Sequence, residues 1–207
     1  TMYDYIIGQI KRVTPEYVVL EQQGIGWQIF TPNPFAFRMK EELQQIFLHM
    51  HVREDAHMLF GFRSLDEREL FRKLIQVSGI GPKGALAILA SGNPSQVISA
   101  IEMEDEAFLV KFPGVGKKTA RQMILDLKGK LGSLLEQVEL PSAEDELPLF
   151  GVHPNKKELE EAMLALLALG YSDKELAKIK PNLEENEQLT TTEAYMKQAL
   201  QLLLKGK

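Results

Sequence analysis

Gly79-Ile80-Gly81-Pro82-Lys83-Gly84-Ala85-Leu86-Ala87-Ile88-Leu89 and Gly114-Val115-Gly116-Lys117-Lys118-Thr119-Ala120-Arg121-Gln122-Met123-Ile124 are two copies of one 11-residue pattern, set 35 positions apart. Glycine, glycine, lysine and alanine recur at equivalent places, with apolar residues around them. Each copy follows a helical apolar run, Leu74-Ile75 or Leu109-Val110, and opens into a further one. The pattern predicts a helix, a tight glycine turn and a second helix with an inward alanine, twice over. Two glycines tolerate positive φ and let the backbone approach a phosphate with no Cβ in the way. The N–H groups that open the second helix meet an anion with a favourable dipole. Lys83, Lys117, Lys118 and Arg121 bring positive charge to the same patch. With Gly79, Gly81, Gly114 and Gly116 they are the candidate DNA-binding residues. Contacts of this kind fall on phosphate, so binding is expected to be blind to base sequence and sensitive to salt.

The charge distribution agrees with that reading, although the total does not. The 207-residue chain has a formal net charge of −5. Residues 63–135 nevertheless carry 11 basic against 8 acidic side chains, while residues 1–62, 136–156 and 157–207 are net −2, −4 and −2. Only the block holding the repeat is basic, and a local basic surface is what phosphate binding requires. The chain contains no cysteine, which excludes a disulfide framework, a thiolate metal site and a cysteine nucleophile, and fits a reducing, cytoplasmic setting. No apolar run approaches a membrane span, and no signal-peptide pattern is visible.

Two resemblances to nucleotide motifs are set aside, one on its context and one on its residues. Gly79-Ile80-Gly81-Pro82-Lys83-Gly84 satisfies G-x-G-x-x-G, but Glu67–Gln76 before it has helical period where a dinucleotide fold needs a strand. The second copy has Thr119 in place of the third glycine. Gly116-Lys117-Lys118-Thr119 resembles a phosphate loop, yet the Walker pattern requires glycine at Lys111 and Ser or Thr at Lys118. Neither a catalytic site nor a cofactor site is expected.

Working outward, residues 1–62 read as short strands. Tyr17–Leu20, Trp27–Phe30, Ile46–Val52 and Met58–Phe62 are β-rich runs separated by turn residues. Ile46, Leu48, Met50 and Val52 alternate with Phe47, His49 and His51, and Glu54-Asp55 falls at the tip between the last two runs. A small OB-type barrel with two carboxylates at a hairpin tip is expected. On the other side, residues 136–156 are acidic and proline-bearing and read as a flexible linker. Residues 157–207 show three helical stripes, with caps expected at Ser172…Glu175 and Thr190…Glu193, as Ser64…Glu67 is before the first repeat helix. Asn93-Pro94 marks a further helix start. The fold class expected is α+β multidomain: a barrel over 1–62, a tandem helix-hairpin-helix domain over 63–135, the linker, and a three-helix docking domain over 157–207.

This order of parts resembles the RuvA family of Holliday-junction-binding proteins. The resemblance rests on Val77–Lys83, Phe112–Thr119, the Val52-Arg53-Glu54-Asp55-Ala56 tip and the Leu59-Phe60-Gly61-Phe62 run, and it spans essentially the whole chain. It implies a homotetramer, or an octamer of two tetramers, that grips the duplex arms of a four-way junction through minor-groove phosphates. It implies an acidic pin, Glu54 and Asp55, at the crossover, and a UBA-like domain at 157–207 that engages a RuvB-type hexameric ATPase. A RuvC-type resolvase is a further partner it suggests.

Other readings of the same residues stay open at this level. Glu54 and Asp55 could hold Mg²⁺ in a nuclease, although neighbouring strand residues face opposite ways. His49, His51 and His57 have a metal-like spacing, but edge or core histidines are commoner, and no metal is assigned. Lys83 or Lys117 could serve a helix-hairpin-helix glycosylase. Trp27 and Phe30 could stack the bases of a single strand, although such aromatics more often belong to a core.

Overall fold

A computed structural model describes residues 2–39, 42–54, 56–90, 94–131, 156–184, 186 and 189–205. Five strands, β1 (Tyr5–Val13), β2 (Tyr17–Gln22), β3 (Ile25–Phe30), β4 (Gln44–Val52) and β5 (His57–Phe62), close into a barrel in the order β1-β2-β3-β5-β4. The β3–β5 seam is parallel, pairing Ile29 with Leu59 and Phe30 with Phe60, and the other seams are antiparallel. Closure leaves the sheet without a free edge.

Side-chain alternation fills the interior with Ile6, Ile10, Val18, Leu20, Ile29, Ile46 and Leu48, all buried. Gly61 completes the packing by having no side chain. A Cβ there would lie 2.4 Å from Ile29 Cγ2 and 2.6 Å from Ile46 Cγ2. β1 is a strand that the sequence pattern leaves unmarked, because Gly8 occupies the inward row between Ile6 and Ile10 and interrupts the apolar alternation. On β4 the expected stripe holds for Ile46 and Leu48. Val52 is 59% exposed, because by that point the strand has run past the barrel wall into the hairpin.

Helices follow: α1 (Leu65–Leu74), α2 (Pro82–Ala90), α3 (Pro94–Glu102), α4 (Glu106–Leu109) and α5 (Lys117–Leu127). The Ser64 hydroxyl accepts the Glu67 N–H at 3.2 Å, and the Glu67 carboxylate accepts the Arg63 N–H at 2.9 Å. The cap is thus reciprocal, with the Glu67 carboxylate reaching the backbone N–H groups of both Arg63 and Ser64. Pro94 is the first residue of α3; Asn93, the expected cap, lies outside the described residues. The outer face of β4 is covered by α1. Phe71 packs at 5.1 Å from Phe60 and 4.8 Å from Phe62, and Arg68, almost fully buried, donates to the Asp4 carboxylate at 2.6 Å and the Asp4 carbonyl at 2.9 Å. Barrel and helices are therefore locked by an aromatic cluster and one guanidinium.

The last three helices are α6 (Lys156–Leu169), α7 (Asp173–Glu184) and α8 (Thr192–Lys205). Ser172 and Glu175 form the expected capping box, with bonds of 2.9 and 3.4 Å. The cap of α8 is Thr191 rather than the expected Thr190: the Thr191 hydroxyl accepts the Ala194 N–H at 3.2 Å. Glu193 is thereby freed to approach Arg63 at 4.0 Å. The linker expected over 136–156 lies outside the described residues, except that Lys156 begins α6. The three-helix unit, expected from sequence to be a tethered module, packs against the hairpin domain and shares one continuous apolar cluster with it.

Candidate nucleic-acid interface

The two sequence repeats fold as two copies of one backbone structure. In the first, the N–H groups of Ile75, Gln76, Val77, Ile80 and Ala85 donate to the carbonyls of Phe71, Lys73, Leu74, Val77 and Gly81 over 3.0–3.2 Å. In the second, Val110, Lys111, Phe112, Val115 and Ala120 donate to Glu106, Phe108, Leu109, Phe112 and Gly116 over 2.9–3.3 Å. Every bond has its counterpart 35 residues on. Gly79 and Gly114 both take positive φ, +94° and +75°, the region that disfavours any side chain. Ile80 and Val115 point inward between these glycines and the next, and Ala85 and Ala120 are fully buried where the paired helices meet. Small alanines permit that approach; the turns are left outside.

All eight candidate residues, Gly79, Gly81, Lys83, Gly114, Gly116, Lys117, Lys118 and Arg121, are exposed. A Cβ at Gly81, Gly114 or Gly116 would meet nothing within 4 Å, so the space in front of these turns is open. The two turns are neighbours: a Cβ on Gly79 would lie 3.4 Å from Thr119 Oγ1 and 3.7 Å from its Cγ2. Thr119 therefore lies between the two turns, although sequence reasoning does not place it there. The available signal is that it replaces the third glycine of the first copy, where a side chain is wanted to fill the gap between hairpins. Lys83, Lys117 and Lys118 carry no ion pair with a described residue. Arg121 differs: its Nε donates to both Glu106 oxygens at 2.9 and 3.1 Å. It braces α4 against α5, and a phosphate must displace Glu106 to reach it. Lys128 pairs with Glu104 nearby, which holds the Glu104 carboxyl below its usual range and raises the lysine.

The β4–β5 hairpin carries the acidic tip. Its strands run to Val52 and His57, and the Arg53 N–H donates to the Ala56 carbonyl at 2.8 Å. Glu54 is exposed at the end; Asp55 lies outside the described residues. Arg53, at the base, lines a cavity of about 250 Å³ together with Lys83 of α2, so tip and first hairpin are adjacent parts of one surface.

The three histidines do not converge. His51 pairs across the hairpin with Met58 and Val52 with His57, so His57 faces the opposite side from His49 and His51. His49 rests edge-on against Phe71 at 5.4 Å. Burial, with Arg72 and His51 beside it, lowers its pKa from 6.5 to about 4. Among the described residues no group of three or more His, Asp or Glu is placed to hold a metal. Trp27 packs on Tyr3 at 5.9 Å, and Phe30 lies 5.9 Å from both Tyr17 and Phe60; both rings are half-buried in the wall and seam of the barrel.

Among the described residues no helix is long and apolar enough to cross a membrane. Family models match three stretches: the RuvA N terminal domain over residues 2–61, a SAM-like helix-hairpin-helix tandem over 71–129, and the RuvA C-terminal domain over 157–204. Curated relatives align over 206 residues, covering all of this chain and all of each relative. A Holliday junction branch migration complex subunit RuvA from Lysinibacillus sphaericus is 78% identical, and those of Bacillus cytotoxicus and Bacillus thuringiensis are 52% identical. Barrel, paired hairpins and terminal helical domain thus agree with full-length similarity, and the chain belongs to the RuvA family.

Proposed function

We propose that this chain is the DNA-holding subunit of a Holliday-junction branch-migration complex, with no catalytic site of its own. The observation that carries this reading is the duplicated hairpin: two adjacent, open glycine turns, with three lysines at the start of their second helices that have no ion pair among the described residues. Such turns hold two successive points of a phosphate backbone without reading bases. Several subunits around a four-fold axis would grip the arms of a junction, so a homotetramer, or an octamer of two, is the working assembly. Glu54 and Asp55 at the hairpin tip act as an acidic pin. Carboxylates repel phosphates, and a negative point inside a basic surface keeps crossing strands apart. Residues 157–207 engage a RuvB-type hexameric ATPase, and a RuvC-type resolvase uses the same open junction.

Gel-shift titration against a synthetic four-way junction, linear duplex and single strand, with magnesium present, tests the reading. Strong preference for the junction with the DNA left intact is expected. Equal affinity for all three reduces the chain to a general DNA binder, and strand cleavage moves it to the nucleases.

A further inference from the structure

The cavity of about 250 Å³ that Arg53 and Lys83 share lies where the barrel, the first hairpin and the end of α6 meet. Aromatic rings of the β3–β5 seam line it. Phe30 and Phe60 are register partners, their rings 5.9 Å apart and tilted by 38°, and His51 stands edge-on to Phe60 at 6.3 Å. Thr31, next to Phe30, is a lining residue only 3% exposed, yet its hydroxyl has no hydrogen bond to a described residue. Buried hydroxyls are normally paired, so this one suits a ligand with a polar edge. Charge adds a second requirement. Lys83 and Arg53 line the cavity against a single carboxylate, that of exposed Glu16, and Lys83 has no ion pair with a described residue.

We propose that this cavity holds the base of one nucleotide from the opened crossover, with the phosphate of that nucleotide on Lys83. The inference rests on the phosphate-binding role proposed above for the hairpins. Size selects the ligand. The volume lies below the range of about 300–1,000 Å³ usual for drug-sized ligands, so it suits one ring system rather than a peptide segment. A base offers flat faces to Phe30 and Phe60 and a polar edge to Thr31 and His51. It hangs one sugar away from its phosphate, so a phosphate on Lys83 brings its own base to the cavity wall.

The same lining is tolerant of base identity. Aromatic contact accepts any base, and a hydroxyl rotates to donate or accept. A site met by every base in turn during branch migration requires that tolerance. Position supplies the free base: Arg53 lines the cavity and precedes Glu54 of the acidic tip. Where carboxylates part the strands the pairs are already broken, and an unpaired base costs least to unstack. Repulsion at the tip and capture at its foot are thus successive steps of one separation.

The full-length chain and a four-way junction carrying iodouracil in place of one thymine test this. On near-ultraviolet irradiation iodouracil couples to an aromatic ring or thioether that it touches. At the crossover it is expected to couple to Phe30, Met58 or Phe60, identified by mass spectrometry of the digested adduct; in the middle of an arm it should leave them unmodified. Ala168→Phe, which fills the cavity from a half-buried position outside the hairpins, should lower the yield several-fold and leave the gel-shift affinity unchanged. Should that variant fail to fold, Thr31→Val decides: it keeps the shape, and losing one hydrogen bond should also lower the yield several-fold. Absence of these adducts, equal yield from arm and crossover, or a yield unchanged by the folded variant overturns the proposal. Coupling of the same residues to free iododeoxyuridine monophosphate but not to the junction also overturns it, in favour of a free-nucleotide site. Loss of junction preference in the unaltered chain instead overturns the reading of the hairpins.

Discussion

At the scale of single residues, space and solvation set the outcome. Gly61 faces the barrel interior, and its missing Cβ is the room taken by Ile29 and Ile46. Both of those Cγ2 atoms sit one bond from Cβ, so they cannot swing aside as a longer side chain could. Gly61→Ala is therefore expected to cost about 1–3 kcal/mol, read as a lower urea midpoint with unchanged m-value. His49 makes a separate prediction through pH. Burial favours its neutral form and lowers its pKa from 6.5 to about 4. Its contribution to stability is thus complete above 6.5 and is lost as pH falls from there towards 4. The loss is at most about 3 kcal/mol. His49→Gln should lose less stability than the parent when the pH is lowered through that window; equal losses would show that His49 is not the titrating group.

At the scale of elements, the two hairpins share one backbone design, and the proposed function makes each a phosphate clamp. Lys83 and Lys118 occupy equivalent places on the second helix of each, and neither is ion-paired with a described residue. Replacing both by Ala should weaken binding to every duplex arm alike. It should also flatten the dependence of log K on log salt by about 1 for each phosphate that is no longer neutralised. An unchanged slope would show that these lysines do not touch the DNA. Arg121→Ala is expected to act differently. Removing the brace to Glu106 should lower stability by up to about 1 kcal/mol, since the pair is exposed, with a smaller effect on the salt slope. The contrast is accessible only through geometry, because by sequence alone Arg121 and Lys118 are equally plausible phosphate ligands.

At the scale of the whole molecule, an aromatic seam joins barrel and hairpins, and the C-terminal unit adds its apolar face to the same cluster. Because the candidate DNA-binding residues all lie before it and are exposed, truncation after residue 156 is expected to spare junction binding and to abolish stimulation of the hexameric ATPase, measured by gel shift and ATP turnover. Collapse of junction binding in the truncated chain would mean that the unit is part of the DNA-binding fold. Assembly belongs to this scale as well: sedimentation of the free chain should give four subunits or eight, and a monomer would leave the four-fold grip without support.

Most of the architecture is legible in the sequence because it repeats or alternates. The duplicated glycine–lysine–alanine pattern specifies two hairpins, since only glycine suits the positive φ at Gly79 and Gly114 and only a small residue suits Ala85 and Ala120. β-rich runs between turn residues, with clean alternation in Ile46–Val52, specify four of the five strands; the fifth is hidden by Gly8, a core position with no apolar side chain to mark it. Capping residues locate the helix starts to within one position, as the shift from Thr190 to Thr191 shows. What sequence spacing cannot convey is which charges already have partners, and what lies beside what across long separations. Glu106 holds Arg121, Thr119 fills the space before Gly79, His57 turns away from His49, and Gly170 rests against Pro113. Those relations depend on helix crossings and strand register, which arise only when separate apolar faces find one another in three dimensions.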